Sequence, residues 1–382
     1  MNENYLESLP LIDHHCHGLV RRDLDREAFE GLLTEGSGAG PYGGTLFDSQ
    51  IGMAVRRWCA PVLGLPVHAA PEDYLDRRAE LGADEVNTRF LRAAGLAALC
   101  VDTGIPEPLL TPVELGELAG APAYEVVRLE ALAEEIAADG TTAAGFADAF
   151  RERLAARARD AVAFKSIAAY RVGLAFREGR PSDAEVTEAA GRWLSSGVRR
   201  VADETMHRFF VWCAVEHGLP LQFHVAYGDD DVDVHRSNPL LLTGLLRELA
   251  PTGTPVMLLH NYPYHREAGY LAQVFPNVFV DVGLATHNTG RRARALLEET
   301  LELTPFGKFL YSSDAYGLPE LYHLAAVLFR HAVGALLRDA TADHSWPESD
   351  APRLARMFTA DNARRAYHLN DRAPDARHRT ST

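Results

Sequence analysis

Eight apolar runs of strand length punctuate the chain and alternate with stretches of helical character. The runs are Leu9–Ile12, which leads into Asp13-His14-His15-Cys16-His17-Gly18, then Leu96–Val101, Ala123–Val127, Ala161–Ile167, Pro220–His224, Pro255–His260, Val278–Val282 and Phe309–Ser312. Runs that are nearly continuous, rather than alternating with polar residues, suit strands of a parallel sheet buried on both faces. Between them, Asp183–Leu194, Asp203–His217, Leu240–Leu249 and Arg291–Leu303 carry helix-forming residues. Repeated β-then-α units imply an α/β fold, and eight of them predict a (β/α)8 TIM barrel. Residues 1–370 are expected to form this one barrel domain. A helical insertion, 18–96, follows the first strand. It contains the charged stretch Arg21–Glu35, a glycine-rich turn at Gly36–Gly44, and helices around Met53–Trp58, Pro71–Arg78 and Asn87–Ala94. Pro71 suits a first helical turn. Residues 318–369 read as closing helices, and 371–382 as a frayed polar tail.

In a barrel of this kind the active site lies at the C-terminal ends of the strands. Residues able to ligate a metal fall at those ends. His15 and His17 are two apart on the first strand, so both imidazoles face one way. Lys165 lies on the fourth strand. His224 and His260 end the fifth and sixth, and the eighth runs into Asp314. Each alone has an ordinary explanation: a strand-end histidine capping a turn, an aspartate capping a helix, or a lysine snorkelling outward. Six on five strands of one barrel point instead to a divalent metal. Arg128 and Glu130 alternate at the end of the third strand, and Arg171 follows the fourth. Arginine there suits a substrate carboxylate, because the planar guanidinium binds it bidentately. The competing reading is an internal Arg–Glu pair that shapes the barrel. Cys16 is expected to face away from the paired histidines, and His14 is read as structural or on the surface. The loop Asp229–Asp233 is read as solvated, with Asp229 orienting a ligand as the alternative.

Composition narrows the partners. The 382 residues carry a formal charge of −15 and are 47% hydrophobic. This acidic balance argues against nucleic acid and anionic membranes. No apolar run approaches the ~20 residues of a membrane span, and the first residues lack the basic-then-apolar order of a signal peptide. Cys16, Cys59, Cys100 and Cys213 lie far apart with no C-x-x-C, as in a reducing, cytoplasmic chain. The expected partner is a small-molecule substrate, with a homo-oligomer left open. No G-x-S-x-G elbow or P-loop is present, so serine-hydrolase and nucleotide chemistry are not expected.

The strand-end set resembles that of the amidohydrolase superfamily. The closer resemblance is to its FluG-type members, which occur alone or fused to glutamine-synthetase-like domains. It rests on Val101-Asp102-Thr103-Gly104, Arg128-Leu129-Glu130, Phe164–Arg171, Phe223-His224 with Gly228-Asp229, His260 through Tyr262-Pro263 to Arg266-Glu267, and Ser312-Ser313-Asp314. Asn362-Ala363-Arg364-Arg365 is similar to the family's last helix. The absence of a following synthetase stretch makes the stand-alone form the expectation. Val225-Ala226-Tyr227 after His224, and His287 past the seventh strand, depart from the pattern.

The resemblance implies a hydrolase in which one or two divalent ions, zinc expected, activate water against an amide or other C–N bond of a small carboxylate-bearing substrate. A γ-glutamyl-type amide is suggested by the fusion partner. It implies metal ligands His15, His17, Lys165, His224, His260 and Asp314. Asp314 would also act as the base and His260 would polarise the carbonyl. Lys165 has two readings. Desolvation favours its neutral amine, which can take up CO2 and, as a carbamate, bridge two ions as in superfamily members with lysine on this strand. Alternatively it stays an ammonium, paired with Glu130 or the substrate carboxylate, beside a single ion. Decarboxylase or isomerase chemistry of the same superfamily is the first alternative, and a non-catalytic barrel scaffold the second.

Overall fold

The computed structural model describes residues 5–6, 8–36 and 44–371. Most of the glycine-rich turn and the polar tail from residue 372 onward lie outside these residues. Seven strands form one sheet in sequential order: β1 (Leu11–Cys16), β2 (Leu96–Asp102), β3 (Ala123–Arg128), β4 (Ala163–Ser166), β5 (Leu221–Val225), β6 (Val256–His260) and β7 (Val278–Val280). The registered neighbours β1/β2, β3/β4, β4/β5, β5/β6 and β6/β7 are all parallel. Every residue of β1, β4, β5 and β6 is buried, as in parallel strands covered on both faces, and the polar residues they carry, such as Asp13, His15, Lys165, Gln222 and His224, are buried with them. With helices between the strands, the architecture is that of a (β/α)8 barrel.

The helices that matter below are α1 (Pro71–Leu81), α2 (Ala83–Ala94), α3 (Leu129–Ala138), α4 (Asp183–Ser196), α5 (Glu204–Val215), α6 (Gly283–Asn288) and α7 (Pro319–Ala342). Pro71 occupies the first turn of α1, where its missing N–H has no intrahelical partner to lose. Ser182 and Glu185 form a capping box on α4, satisfying two otherwise orphaned N–H groups. The charged stretch Arg21–Glu35 yields only the short helix Arg26–Gly31, started by the Asp25 carboxylate accepting from the Ala28 N–H.

The chain divides into two compact units, Met1–Val101 with Glu107–Tyr124 and Val282–Thr382, and Asp102–Pro106 with Glu125–Asp281. In the first unit, buried Glu320 of α7 accepts from Arg78 Nε at 2.6 Å, Arg78 Nη2 at 3.1 Å and Tyr74 Oη at 2.8 Å, tying α1 to α7. Arg330 of α7 donates to the carbonyls of Leu9, Ala94 and Gly95 and so fixes the entries to β1 and β2.

The eighth apolar run is not a regular strand. Residues 311–317 run beside β1 and the residues after it, and bond to them at intervals. The His14 N–H donates to Tyr311 O, the Asp314 N–H to His15 O, and the His17 N–H to Ala315 O. Asp314 has φ +50°, a left-handed value that interrupts ladder geometry.

Candidate metal centre

In the first unit, β1 separates its polar side chains by parity. His14 bonds Tyr367 Oη through Nδ1 at 2.8 Å, and the Cys16 thiol donates to the Cys100 carbonyl at 3.5 Å. Both take the structural roles expected of them. On the other parity, Asp13 receives the Ser313 N–H at 2.9 Å and the Ser313 hydroxyl at 2.5 Å. Burial pushes the Asp13 carboxyl up to about 7, against the lowering effect of those two bonds. The Ser313 contacts lock the register of the eighth segment on β1, one residue before Asp314.

Asp314 then lies 3.1 Å from His15 Nε2 and 3.3 Å from His17 Nε2, both measured to Oδ1. Donor atoms of the three residues fall within 4.8 Å of one another. Two donors at 2.0–2.1 Å from a common tetrahedral ion stand about 3.3 Å apart, so the trio fits a divalent metal in spacing and in donor type. Nitrogen and carboxylate donors suit zinc and its first-row neighbours. The Tyr322 hydroxyl of α7 bonds the His17 carbonyl, which holds this end of the chain in place.

In the second unit, the strand-end residues are also buried, and each has its own support. His224 and His260 have ring centroids 4.5 Å apart, and Tyr170 packs against His224 at the same distance. A Cβ at Gly228 would lie 2.0 Å from Tyr170 Oη and 3.0 Å from His224 Nε2, so only glycine permits this approach. His260 and Asn261 have φ of +70° and +59°. This turn at the end of β6 is held by Asp281, whose Oδ1 accepts the His260 N–H at 2.8 Å and whose carbonyl accepts Asn261 Nδ2 at 2.9 Å. Lys165 is buried on β4 and registers beside Arg128 and Gln222.

Of the three residues expected to bind substrate, two are held in buried pairs. Arg128 donates through Nε and Nη2 to Asp102 Oδ2 at 3.0 and 2.6 Å. An internal pair is the competing reading from sequence, but the acid paired with Arg128 is Asp102 and not a glutamate. Glu130 is on α3, not on the strand. Its Oε1 accepts from Ser166 Oγ at 2.8 Å and the Ile167 N–H at 3.0 Å, and meets His207 Nδ1 of α5 at 3.1 Å. Arg171 is less committed. Its nearest acid is Glu134 at 3.6 Å. Burial, followed by the neighbouring Arg200 charge, lowers its pKa, and a bound anion would relieve both effects.

The Asp13–Ser313 clamp, the Asp281 brace and Tyr170 are the supporting residues that sequence reasoning passed over. Their signals were present in Asp13-His14-His15, Ser312-Ser313-Asp314 and Ala169-Tyr170-Arg171, but pairs between distant segments cannot be read from spacing. Among the described residues, no helix is long and apolar enough to cross a membrane.

Comparison with known proteins agrees with this geometry. Protein fluG of Emericella nidulans is 28% identical over 420 residues, an alignment covering 97% of this chain and 47% of that protein. The chain thus spans about half the length of this curated relative. A crystal structure of a candidate metal-dependent hydrolase from Lactobacillus casei ATCC 334 superposes with a TM-score of 0.84 at 29% identity, covering 97% of this chain and 98% of that one. Glucuronate isomerase from Caulobacter crescentus shares the fold at a TM-score of 0.67 and 16% identity, over 98% of this chain and 94% of its own. The amidohydrolase family model matches residues 116–369. That match takes in more than half of the sequence, including Lys165, His224, His260 and Asp314, and the chain belongs to the amidohydrolase family.

Proposed function

We propose that the chain is a FluG-type amidohydrolase, a metal-dependent enzyme that hydrolyses an amide or other C–N bond of a small carboxylate-bearing molecule, with γ-glutamyl-type amides the first class to test. The observation that carries this reading is the convergence of His15, His17 and Asp314 at 3.1 and 3.3 Å. His15 and His17 through Nε2, with a carboxylate oxygen of Asp314, would hold a divalent ion, zinc in our reading, and that ion would supply a water acidified from about 15.7 towards roughly 7. Asp314 would also accept a proton from the attacking water and pass it to the leaving nitrogen. Lys165, His224 and His260 are assigned to the same reaction by resemblance to the superfamily. His260 donates to the substrate carbonyl, and its fixed backbone at the end of β6 limits reorganisation during reaction.

Arg171 is the favoured carboxylate ligand. Arg128 and Glu130 contribute to substrate binding by shaping the surrounding β3 and β4 ends. Lys165 lies in a fully buried strand, and the carbamate is our reading of it by resemblance to superfamily members with lysine on this strand. The four cysteines are buried and form no disulfide, and a cytoplasmic setting is part of this reading.

The test is elemental analysis of the purified protein, coupled to a screen of γ-glutamyl and related amides for amine release. Decarboxylation and aldose–ketose isomerisation are followed in parallel. Bound metal with amine release is the expected result. CO2 release or isomerisation without amine release would transfer the chain to lyase or isomerase chemistry.

A further inference from the structure

His287 lies on α6, just past β7, and is 1% exposed. Its Nδ1 is buried and has no hydrogen-bond partner among the described residues. Burial lowers its pKa to about 4, partly opposed by the charge of Asp314. A few residues before Asp314, the Ser312 hydroxyl is in the same condition, 3% exposed and without a hydrogen-bond partner among the described residues. A Cβ on Gly283 would lie 2.2 Å from Ser312 Oγ, so the hydroxyl rests directly on the first turn of α6. Gly283 and His287 are four apart on that helix and share a face. The helix therefore turns His287 towards the side on which Ser312 lies. Buried polar atoms are nearly always hydrogen-bonded, and exceptions call for an explanation.

The chemistry of the pair limits what it can receive. A neutral imidazole offers one N–H and one lone pair, and a serine hydroxyl can donate or accept. A carboxylate offers acceptors only, so it cannot give a hydrogen to an imidazole lone pair. An uncharged amide, with one C=O and N–H donors, can satisfy either tautomer of His287 and the Ser312 hydroxyl together.

We propose that His287 and Ser312 form a substrate subsite beside the His15–His17–Asp314 trio, specific for an uncharged amide group and not for a carboxylate. This deepens the hydrolase reading and rests on it. His287 receives the amide through a hydrogen bond at Nδ1, and Ser312 Oγ bonds the same group. Recognition of the substrate carboxylate falls to other residues.

The test uses full-length, metal-loaded protein and two probes, glutarate monoamide and glutarate, titrated calorimetrically. Metal content is measured in every sample. Wild type should bind the monoamide more tightly than glutarate. His287→Phe, which keeps ring volume, should weaken the monoamide about tenfold, the effect of one lost hydrogen bond of ordinary strength, and leave glutarate unchanged. His287→Asn, whose amide can reach the Nδ1 position, should recover part of the loss, and Ser312→Ala should weaken the monoamide several-fold. Equal losses for both probes, no change in either, no binding of either by wild type, or a crystal structure with one fixed water on His287 Nδ1 with and without monoamide would each overturn the subsite. Wild-type protein that holds no metal would overturn the hydrolase reading instead. The preference for monoamide over glutarate is measurable in that state too, so the two failures are told apart.

Discussion

The ends of β1 and β3 are both rich in groups that can bind ions, and they differ in what those groups already touch. At β1, His15 and His17 meet a carboxylate through Nε2 atoms that face one point. At the end of β3, the Arg128 guanidinium is closed on Asp102, and at the start of α3 Glu130 is closed on Ser166, Ile167 and His207. A strand end therefore supplies an address and not a role. Convergence on a shared point makes a ligand set, whereas pairing inside the wall makes a brace. Buried charges can be stable in either state, because a partner offsets their desolvation.

Substitutions can break this contrast. The largest effect is expected from replacing His15 and His17 together by Ala. Retained metal should fall from at least one ion per chain to none, and turnover should vanish with it. Equal metal in wild type and variant by elemental analysis would refute the ligand assignment. Next in size is Asp314→Asn, which keeps shape but cannot accept a proton at neutral pH. Its kcat should drop on the order of 10³-fold, about 4 kcal/mol of barrier, with the circular dichroism spectrum unchanged. A rate within a few-fold of wild type would remove Asp314 from the base role.

Arg128→Met sharpens the other side of the comparison. It leaves the Asp102 carboxylate buried without its guanidinium, at a cost of about 3–5 kcal/mol, read as a lowered midpoint in urea. A variant as stable as wild type would show that the pair is not a brace. Arg171→Met should leave stability almost unchanged, since its acid lies 3.6 Å away. It should raise KM for an acid substrate by about tenfold to a hundredfold, the worth of one charged hydrogen-bonded contact, and much less for the methyl ester. Equal effects on acid and ester would make Arg171 structural.

Much of this protein was open to a reader of the sequence alone. The seven strands overlap seven of the eight apolar runs, because strands buried on both faces are largely apolar. The insertion's helices were visible from Pro71 and from the charged, leucine- and alanine-rich stretches around it. The i, i+2 spacing of His15 and His17 is a local property of an extended chain, and so it survived into the structure.

Other features depend on which distant segments meet. The eighth run looked like its neighbours, but its backbone leaves the ladder where Asp314 takes a positive φ. Asp314 approaches His15 and His17 through the Asp13–Ser313 clamp, two residues 300 positions apart. Arg128, for which an internal pair is the competing reading, is closed on Asp102, 26 positions away. His287 stands out in the sequence as a departure from the pattern, but only the folded chain shows its Nδ1 buried without a hydrogen-bond partner among the described residues. Periodicity in a sequence records the solvent each residue will meet, so it determines strands, helices and the residue types at their ends. Hydrogen bonds and ion pairs act over about 3 Å between whichever groups the fold brings together. Tertiary structure alone decides which polar groups satisfy one another and which are left to bind something else.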